Sequence, residues 1–117
     1  PADTQQAQAK LIRDLPLTHL TYTGAMPDAV RDAVATKQHL VDVSLHWYTP
    51  MNLEVMARLE SLQRLKLTSC WGPKLQDLAV LNESATLETL TILHCFSGPE
   101  KVARLVPGVT VSGIWNR

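Results

Sequence analysis

Cysteine, net charge and long apolar runs are scarce in this sequence, and each shortage excludes a class of protein. Only Cys70 and Cys95 occur among 117 residues, whereas small secreted domains usually carry several cysteine pairs, so we expect an intracellular, reducing compartment. This favours the cytoplasm and leaves the nucleus and the mitochondrion open. Eleven basic residues balance eleven acidic ones, so no overall field attracts nucleic acid. No apolar run approaches the roughly 18 residues of a membrane span, so we expect no membrane insertion.

Motifs that carry chemistry are also missing from the sequence. It has no glycine-rich phosphate loop, no G-x-S-x-G turn and no H-E-x-x-H pair. A zinc site needs three or four converging ligands, and we interpret the four histidines as ordinary surface residues: His19, His39, His46 and His94. We therefore predict no enzyme activity, no cofactor and no metal site. The chain starts without a methionine, so we expect it to be part of a longer protein.

The sequence does have an internal repeat. The pattern L-x-x-L-x-L-x-x-C starts at Leu62 and again at Leu87, 25 residues later. Looser copies start at Leu17, Leu40 and Val106, which makes five units with spacings from 19 to 25 residues. In the looser copies the last position holds Ala25, Tyr48 or Ile114. Terminal repeats are expected to depart from the pattern, because they cap the stack.

This pattern resembles the leucine-rich-repeat family, and its cysteine-ending form is similar to the ribonuclease-inhibitor-like and F-box-associated branch. The resemblance extends from about Leu11 to Trp115. It implies an α/β fold, a right-handed solenoid of about five short repeats over residues 1–117, with a parallel sheet on the concave face and helices on the convex face. The F-box branch would imply a ubiquitin-ligase substrate receptor. The chain contains no F-box segment, so that role needs residues outside it.

Residue spacing within each unit supports the same architecture. The second and third apolar residues are two apart, which directs both to one side of a strand. Between strands, apolar residues step by three or four, as on one face of a helix: Val30, Ala33 and Val34; Leu53, Met56 and Leu59; Leu75, Leu78 and Ala79; Val102, Leu105 and Val106.

Proline marks the expected start of each of these helices. It suits the first helical turn, where its missing N–H would lack a partner anyway, and it occurs here as Pro27, Pro50, Pro73 and Pro99. Thr49 can cap the second helix through its side-chain oxygen. A further helix over residues 3–15 is expected to cover the open end of the stack. If it is the remnant of a missing repeat, the first edge is partly exposed.

The strand register assigns the alternate polar residues to the concave face in three columns. They are His19, Asp42, Arg64, Thr89 and Gly108; Thr21, Ser44, Lys66, Thr91 and Thr110; and Thr23, His46, Thr68, Leu93 and Ser112. The face is polar and of mixed charge, which suits a protein partner. Its basic residues, Arg64 and Lys66, are too few to hold nucleic acid electrostatically. The predicted partner-binding residues are Asp42, Ser44, His46, Trp47, Arg64, Lys66, Thr68, Thr89, Thr91, Leu93 and His94.

Aromatic residues cluster at or just past the predicted strand ends, as Trp47, Tyr48, Trp71, Phe96 and Trp115. Stacked in register they would form an aromatic rim, and Trp and Tyr concentrate binding energy at interfaces. Alternatively Trp71, Phe96 and Trp115 fill the gap between strand and helix; we favour filling for these three and binding for Trp47. The two cysteines share an inward position, where a disulfide is conceivable and two buried thiols are expected.

These observations predict a non-catalytic module for protein–protein interaction, part of a scaffold or adaptor. One alternative is binding of RNA or ribonucleoprotein, with base stacking on Trp47 and phosphate contacts at Arg64 and Lys66, which a steep salt dependence would reveal. A second alternative is self-association through an end strand or the aromatic rim. Light scattering at several concentrations would detect that state.

Overall fold

Five short strands alternate with helices along the chain. The structure, a computed structural model, describes residues 2–68, 74–94 and 99–114. In chain order the elements are α1 (Ala2–Asp14), β1 (His19–Thr23), α2 (Asp28–Ala35), β2 (Asp42–His46), α3 (Pro50–Arg58), β3 (Arg64–Thr68), a 3-10 helix (Leu75–Glu83), β4 (Thr89–Leu93), α4 (Pro99–Leu105) and β5 (Thr110–Ile114). The predicted alternation of strands and helices is confirmed.

The strands form one parallel sheet in the order β1-β2-β3-β4-β5. Parallel neighbours need a connection that crosses back over the sheet, and the intervening helices provide it. Equivalent positions of the predicted repeats face each other, so Leu20 pairs with Val43 and Val43 with Leu65. The expected parallel sheet is therefore confirmed, and the sequence spacing sets the lateral register of the first four strands.

The proline positions agree with the helix starts in the described part of the chain. Pro27 stands directly before α2, and Pro50 and Pro99 are the first residues of α3 and α4. The Thr49 side-chain oxygen accepts a hydrogen bond of 3.3 Å from the Asn52 N–H, as an N-cap does. The start predicted at Pro73 lies outside the described residues.

A single buried cluster joins the inward residues of the strands to the apolar stripes of the helices. The stripes of α2 and α3 are buried as predicted. The third stripe differs, because Leu78 and Leu81 are buried whereas Ala79 is exposed. The segment is a 3-10 helix with three residues per turn, so residues three apart share a face and Ala79 leaves the core.

The last strand begins two residues later than the repeat predicted. Thr110, instead of Gly108, lies opposite Thr89. The reason is that Val106 is buried against the helical side and its carbonyl accepts a 3.0 Å hydrogen bond from the Val109 N–H. This turn contains the residues that the pattern assigned to the start of the strand. Thr110 therefore lies in the first column and Ser112 in the second, each one column before the predicted one.

Helix α1 extends the helical layer and does not pair with the sheet. It packs against α2, and the Lys37 ammonium donates hydrogen bonds of 2.7 Å to the Arg13 carbonyl and 2.6 Å to the Leu15 carbonyl. The inward residues of β1, Leu20 and Tyr22, are only half-buried. The first strand thus keeps a partly exposed edge.

Candidate functional site

Nine of the predicted partner-binding residues lie in three rows across the central strands, on the side of the sheet opposite the buried cluster. We call this side the open face. The strand pairing places Asp42, Arg64 and Thr89 in the first row, Ser44, Lys66 and Thr91 in the second, and His46, Thr68 and Leu93 in the third. Trp47 and His94 directly follow their strands. The open face is therefore one surface assembled from residues far apart in sequence.

The first row contains the ion pair of the open face. Arg64 Nε lies 3.0 Å from Asp42 Oδ2, and both side chains are partly exposed. An exposed pair of this kind contributes little to the free energy of unfolding, because solvent screens it. Its consequence is electrostatic: the Arg64 charge is balanced by its neighbour on the adjoining strand.

The second row is a line of hydroxyl groups with one cation in it. Lys66 is exposed and forms no ion pair within the described residues. Ser44 and Thr91 lie beside it on the neighbouring strands. Beyond Thr91 the line continues to Ser112, whose Oγ lies 3.4 Å from Thr91 Oγ1. The row thus presents a single uncompensated positive charge between hydrogen-bonding hydroxyls.

The third row is less polar and less accessible. His46, Thr68 and Leu93 are all half-buried. The Thr68 hydroxyl oxygen is buried and has no hydrogen-bond partner among the described residues. The row lies between the second row, which contains Lys66, and the residues Trp47 and His94, which follow their strands.

Trp47 occupies an unusual backbone conformation at the end of β2. Its φ is +51°, and His94 at the equivalent position after β4 has φ +58°. The same position after β1 is Gly24, with φ +88°. The left-handed region disfavours bulky residues. Burial does not offset this cost for Trp47, because its side chain is 55% exposed and contributes little to the core. The glycine in the first unit was the sequence signal for this turn, and sequence reasoning missed it.

The aromatic rim is only partly present in the described residues. Tyr48 is fully buried, so the expectation that it lies on an exposed rim is wrong. It takes the inward last position of its unit, next to the outward Trp47. The other rim residues and both cysteines fall outside the described part of the chain: Trp71, Phe96, Trp115, Cys70 and Cys95.

Asn52 is a buried residue that bridges two turns in this region, and the sequence did not reveal this role. It is 1% exposed. Its Nδ2 donates to the Gly24 carbonyl at 2.9 Å, and its Oδ1 accepts from the Met26 N–H at 3.2 Å. Thr49 Oγ1 also donates to that oxygen at 3.0 Å. Asn52 therefore ties the turn after β1 to the turn that carries Trp47.

Potential metal ligands lie apart from one another in the described part of the chain. No three His, Cys, Asp or Glu residues come together there as a metal site would require. One open cavity of about 410 Å³ is lined by residues near the amino ends of β1 and β2, such as Leu17 and His39. Burial raises the pKa of the half-buried Tyr22 above 10.0.

No helix in the described ranges is long and apolar enough to cross a membrane.

Comparison with protein-family models, with curated proteins and with solved structures found no match to this chain. The function must therefore be argued from the arrangement of its own residues.

Proposed function

We propose that the chain is a non-catalytic protein-binding module, a leucine-rich-repeat solenoid that holds an extended segment of its partner on the open face. The parallel sheet with sequential strand order and the repeated L-x-x-L-x-L units support the solenoid. The small number of cysteines supports a role in a reducing compartment. The protein acts as a scaffold or adaptor, and its specificity comes from the residues of the three rows.

One observation carries the binding proposal: an exposed tryptophan in a conformation that folding alone would assign to glycine. Trp47 is 55% exposed at φ +51°. A left-handed conformation costs an L-residue about 1–2 kcal/mol, and the side chain recovers little of this by burial. Tryptophan is among the residues that contribute most at protein interfaces. A partner that covers the Trp47 ring accounts for an exposed tryptophan at this position.

The experiment is affinity capture with matched variants of the chain. Wild type, Trp47→Gly and Met51→Ala are immobilised and exposed to lysate, with and without nuclease treatment. Met51 is the matched control, because it is another half-exposed apolar residue (50%) and belongs to α3. We expect a protein partner on wild type and on Met51→Ala, and its loss on Trp47→Gly. Circular dichroism checks that all three variants are folded.

Other outcomes of this capture would reject the proposal. If the three baits hold the same partner equally, the open face is not the binding surface. If the partner disappears from the wild-type bait only after nuclease treatment, the module binds ribonucleoprotein. If the captured protein is the chain itself, the function is self-association.

A further inference from the structure

The open face has a charge pattern that selects among protein partners. Arg64 is balanced by Asp42 at 3.0 Å, which leaves Lys66 as a cation without an ion-pair partner within the described residues. Lys66 lies on the central strand of the five, in the middle row. A partner that covers this position buries the ammonium group, and burial of an unpaired charge is unfavourable unless the partner supplies an opposite charge.

The neighbours of Lys66 suit a carboxylate. Ser44 and Thr91 lie directly opposite it on the two adjoining strands, each about 4.8 Å away in the direction of the backbone hydrogen bonds. Both are hydroxyl residues that can donate a hydrogen bond. An ionised carboxylate has two oxygens that accept hydrogen bonds only. The ammonium and the hydroxyls can therefore satisfy both oxygens of one aspartate or glutamate side chain.

A polyanion such as RNA fits this pattern less well than an acidic peptide. Binding of nucleic acid relies on several cations that neutralise successive phosphates. The three rows contain two such cations, and Asp42 balances Arg64. The chain as a whole carries no net charge. One uncompensated cation can balance one carboxylate, but it cannot hold a phosphate backbone.

Trp47 sets the position of a second contact. It directly follows β2, next to the third row, so one partner segment can contact both Lys66 and Trp47. In an extended segment, side chains two or four positions apart point to the same side. A carboxylate at Lys66 and an apolar side chain on the Trp47 ring are thus two or four positions apart in the partner.

We infer that the open face recognises an acidic, extended protein segment, with an Asp or Glu carboxylate at Lys66 between Ser44 and Thr91, and an apolar residue two or four positions away on Trp47. This inference rests on the proposed function and adds the chemistry of the partner.

The test is selection of random peptides displayed on phage, at low salt, on the immobilised chain. Parallel selections use Lys66→Glu, Trp47→Gly and Lys101→Glu. Lys101 is the matched control, because it is an exposed lysine on α4, away from the three rows. Wild type and Lys101→Glu are expected to enrich peptides with an acidic residue two or four positions from an apolar one. Lys66→Glu is expected to enrich basic residues at the same position.

A synthetic peptide from the selection gives the quantitative result. Exchange of its acidic residue for lysine should weaken binding to wild type about tenfold, because an attractive exposed pair becomes repulsive. The same exchange should restore binding to Lys66→Glu. This reciprocal effect requires that the two charges meet.

The outcomes separate this inference from the proposed function. Peptides that need Trp47 but show no acidic preference, or whose acidic preference survives Lys66→Glu, overturn the inference and leave the protein-binding proposal standing. Failure to enrich any peptide overturns the inference, while lysate capture tests the proposed function independently. Tighter binding of single-stranded oligouridine than of the best peptide would reject both.

Discussion

At the residue scale, the left-handed turn that carries Trp47 occurs at equivalent positions along the chain. The position equivalent to Trp47 is Gly24 in the preceding unit and His94 after β4, and all three have a positive φ. The turn therefore recurs in three of the units, while the residue that occupies it varies. Asn52 supports this region from the core side, through the Gly24 carbonyl and the Met26 N–H.

The left-handed turn predicts an unusual order of stability among Trp47 variants. Trp47→Gly should be more stable than Trp47→Ala by about 1 kcal/mol, because glycine alone adopts this conformation without a steric cost. Urea unfolding followed by circular dichroism measures the difference in free energy. If the alanine variant is the more stable one, the backbone at this position is not left-handed in solution.

Asn52 should be far less tolerant of substitution than another asparagine. Asn52→Ala leaves the Gly24 carbonyl and the Met26 N–H without their side-chain partner in a buried site, and we expect a loss of about 2–4 kcal/mol. Asn82 is the control, because its amide donates to the Leu105 carbonyl from an exposed position. Asn82→Ala should cost less than about 1 kcal/mol. Equal losses in urea unfolding would reject the bridging role of Asn52.

The raised pKa of Tyr22 predicts how stability changes at alkaline pH. Burial favours the neutral phenol, whose oxygen also lies 3.5 Å from Gln8 Oε1. Since the folded pKa exceeds the unfolded one, this contribution to stability is complete below pH 10 and is lost as the pH rises through the folded value. Unfolding of wild type and Tyr22→Phe at several alkaline pH values should therefore show wild type losing more stability. Parallel curves would place Tyr22 in solvent.

At the scale of elements, the closing strand departs most from the repeat. The turn from Val106 to Val109 delays β5 by two residues. As a result Gly113, instead of a branched apolar residue, lies opposite Ile92. Gly113 has φ +145°, and a Cβ built on it would lie 1.8 Å from the Ile92 carbonyl oxygen. The pairing of β4 and β5 therefore depends on the absence of a side chain at this position.

Gly113→Ala should consequently detach β5 from the sheet. We expect a loss of about 2 kcal/mol or more, because both the contact and the φ angle oppose a side chain. Gly108→Ala is the matched control, since its added Cβ meets no atom within 4 Å, and its effect should be within about 0.5 kcal/mol. Unfolding in urea compares the two variants. A tolerated Gly113→Ala would contradict the close approach of the two strands.

At the scale of the whole molecule, contacts join neighbouring elements. Each strand pairs with the next in sequence, and among the described residues each helix lies beside the helices that precede and follow it in the chain. Stability in such an arrangement is a sum of nearest-neighbour terms. The outer strands β1 and β5 have one strand neighbour each, whereas the central strands have two.

This arrangement predicts a gradient of amide hydrogen exchange across the sheet. Amides of β2 and β3 should exchange most slowly, and those of β1 and β5 fastest, because the outer strands open without disturbing the centre. Exchange measured by NMR along each strand provides the test. Uniform protection would mean that the sheet opens as one unit.

The sequence alone determined the alternation of strands and helices, the inward residues of β1 to β4 and most helix starts. These features follow from local periodicity and from proline, which act within a few residues. The same periodicity identified nine residues of the open face, because strand side chains alternate between the two sides of a sheet.

Only the tertiary structure decided which of these residues influence each other. The Asp42–Arg64 pair joins residues 22 positions apart and leaves Lys66 as the cation of the three rows that has no ion pair among the described residues. Asn52 reaches back 28 residues to Gly24. The delayed β5, the buried Tyr48 and the left-handed Trp47 likewise depend on packing between units. Repeat spacing predicts the order of the units, but charge balance, hydrogen-bond partners and backbone conformation depend on the lateral contacts that only the folded sheet creates.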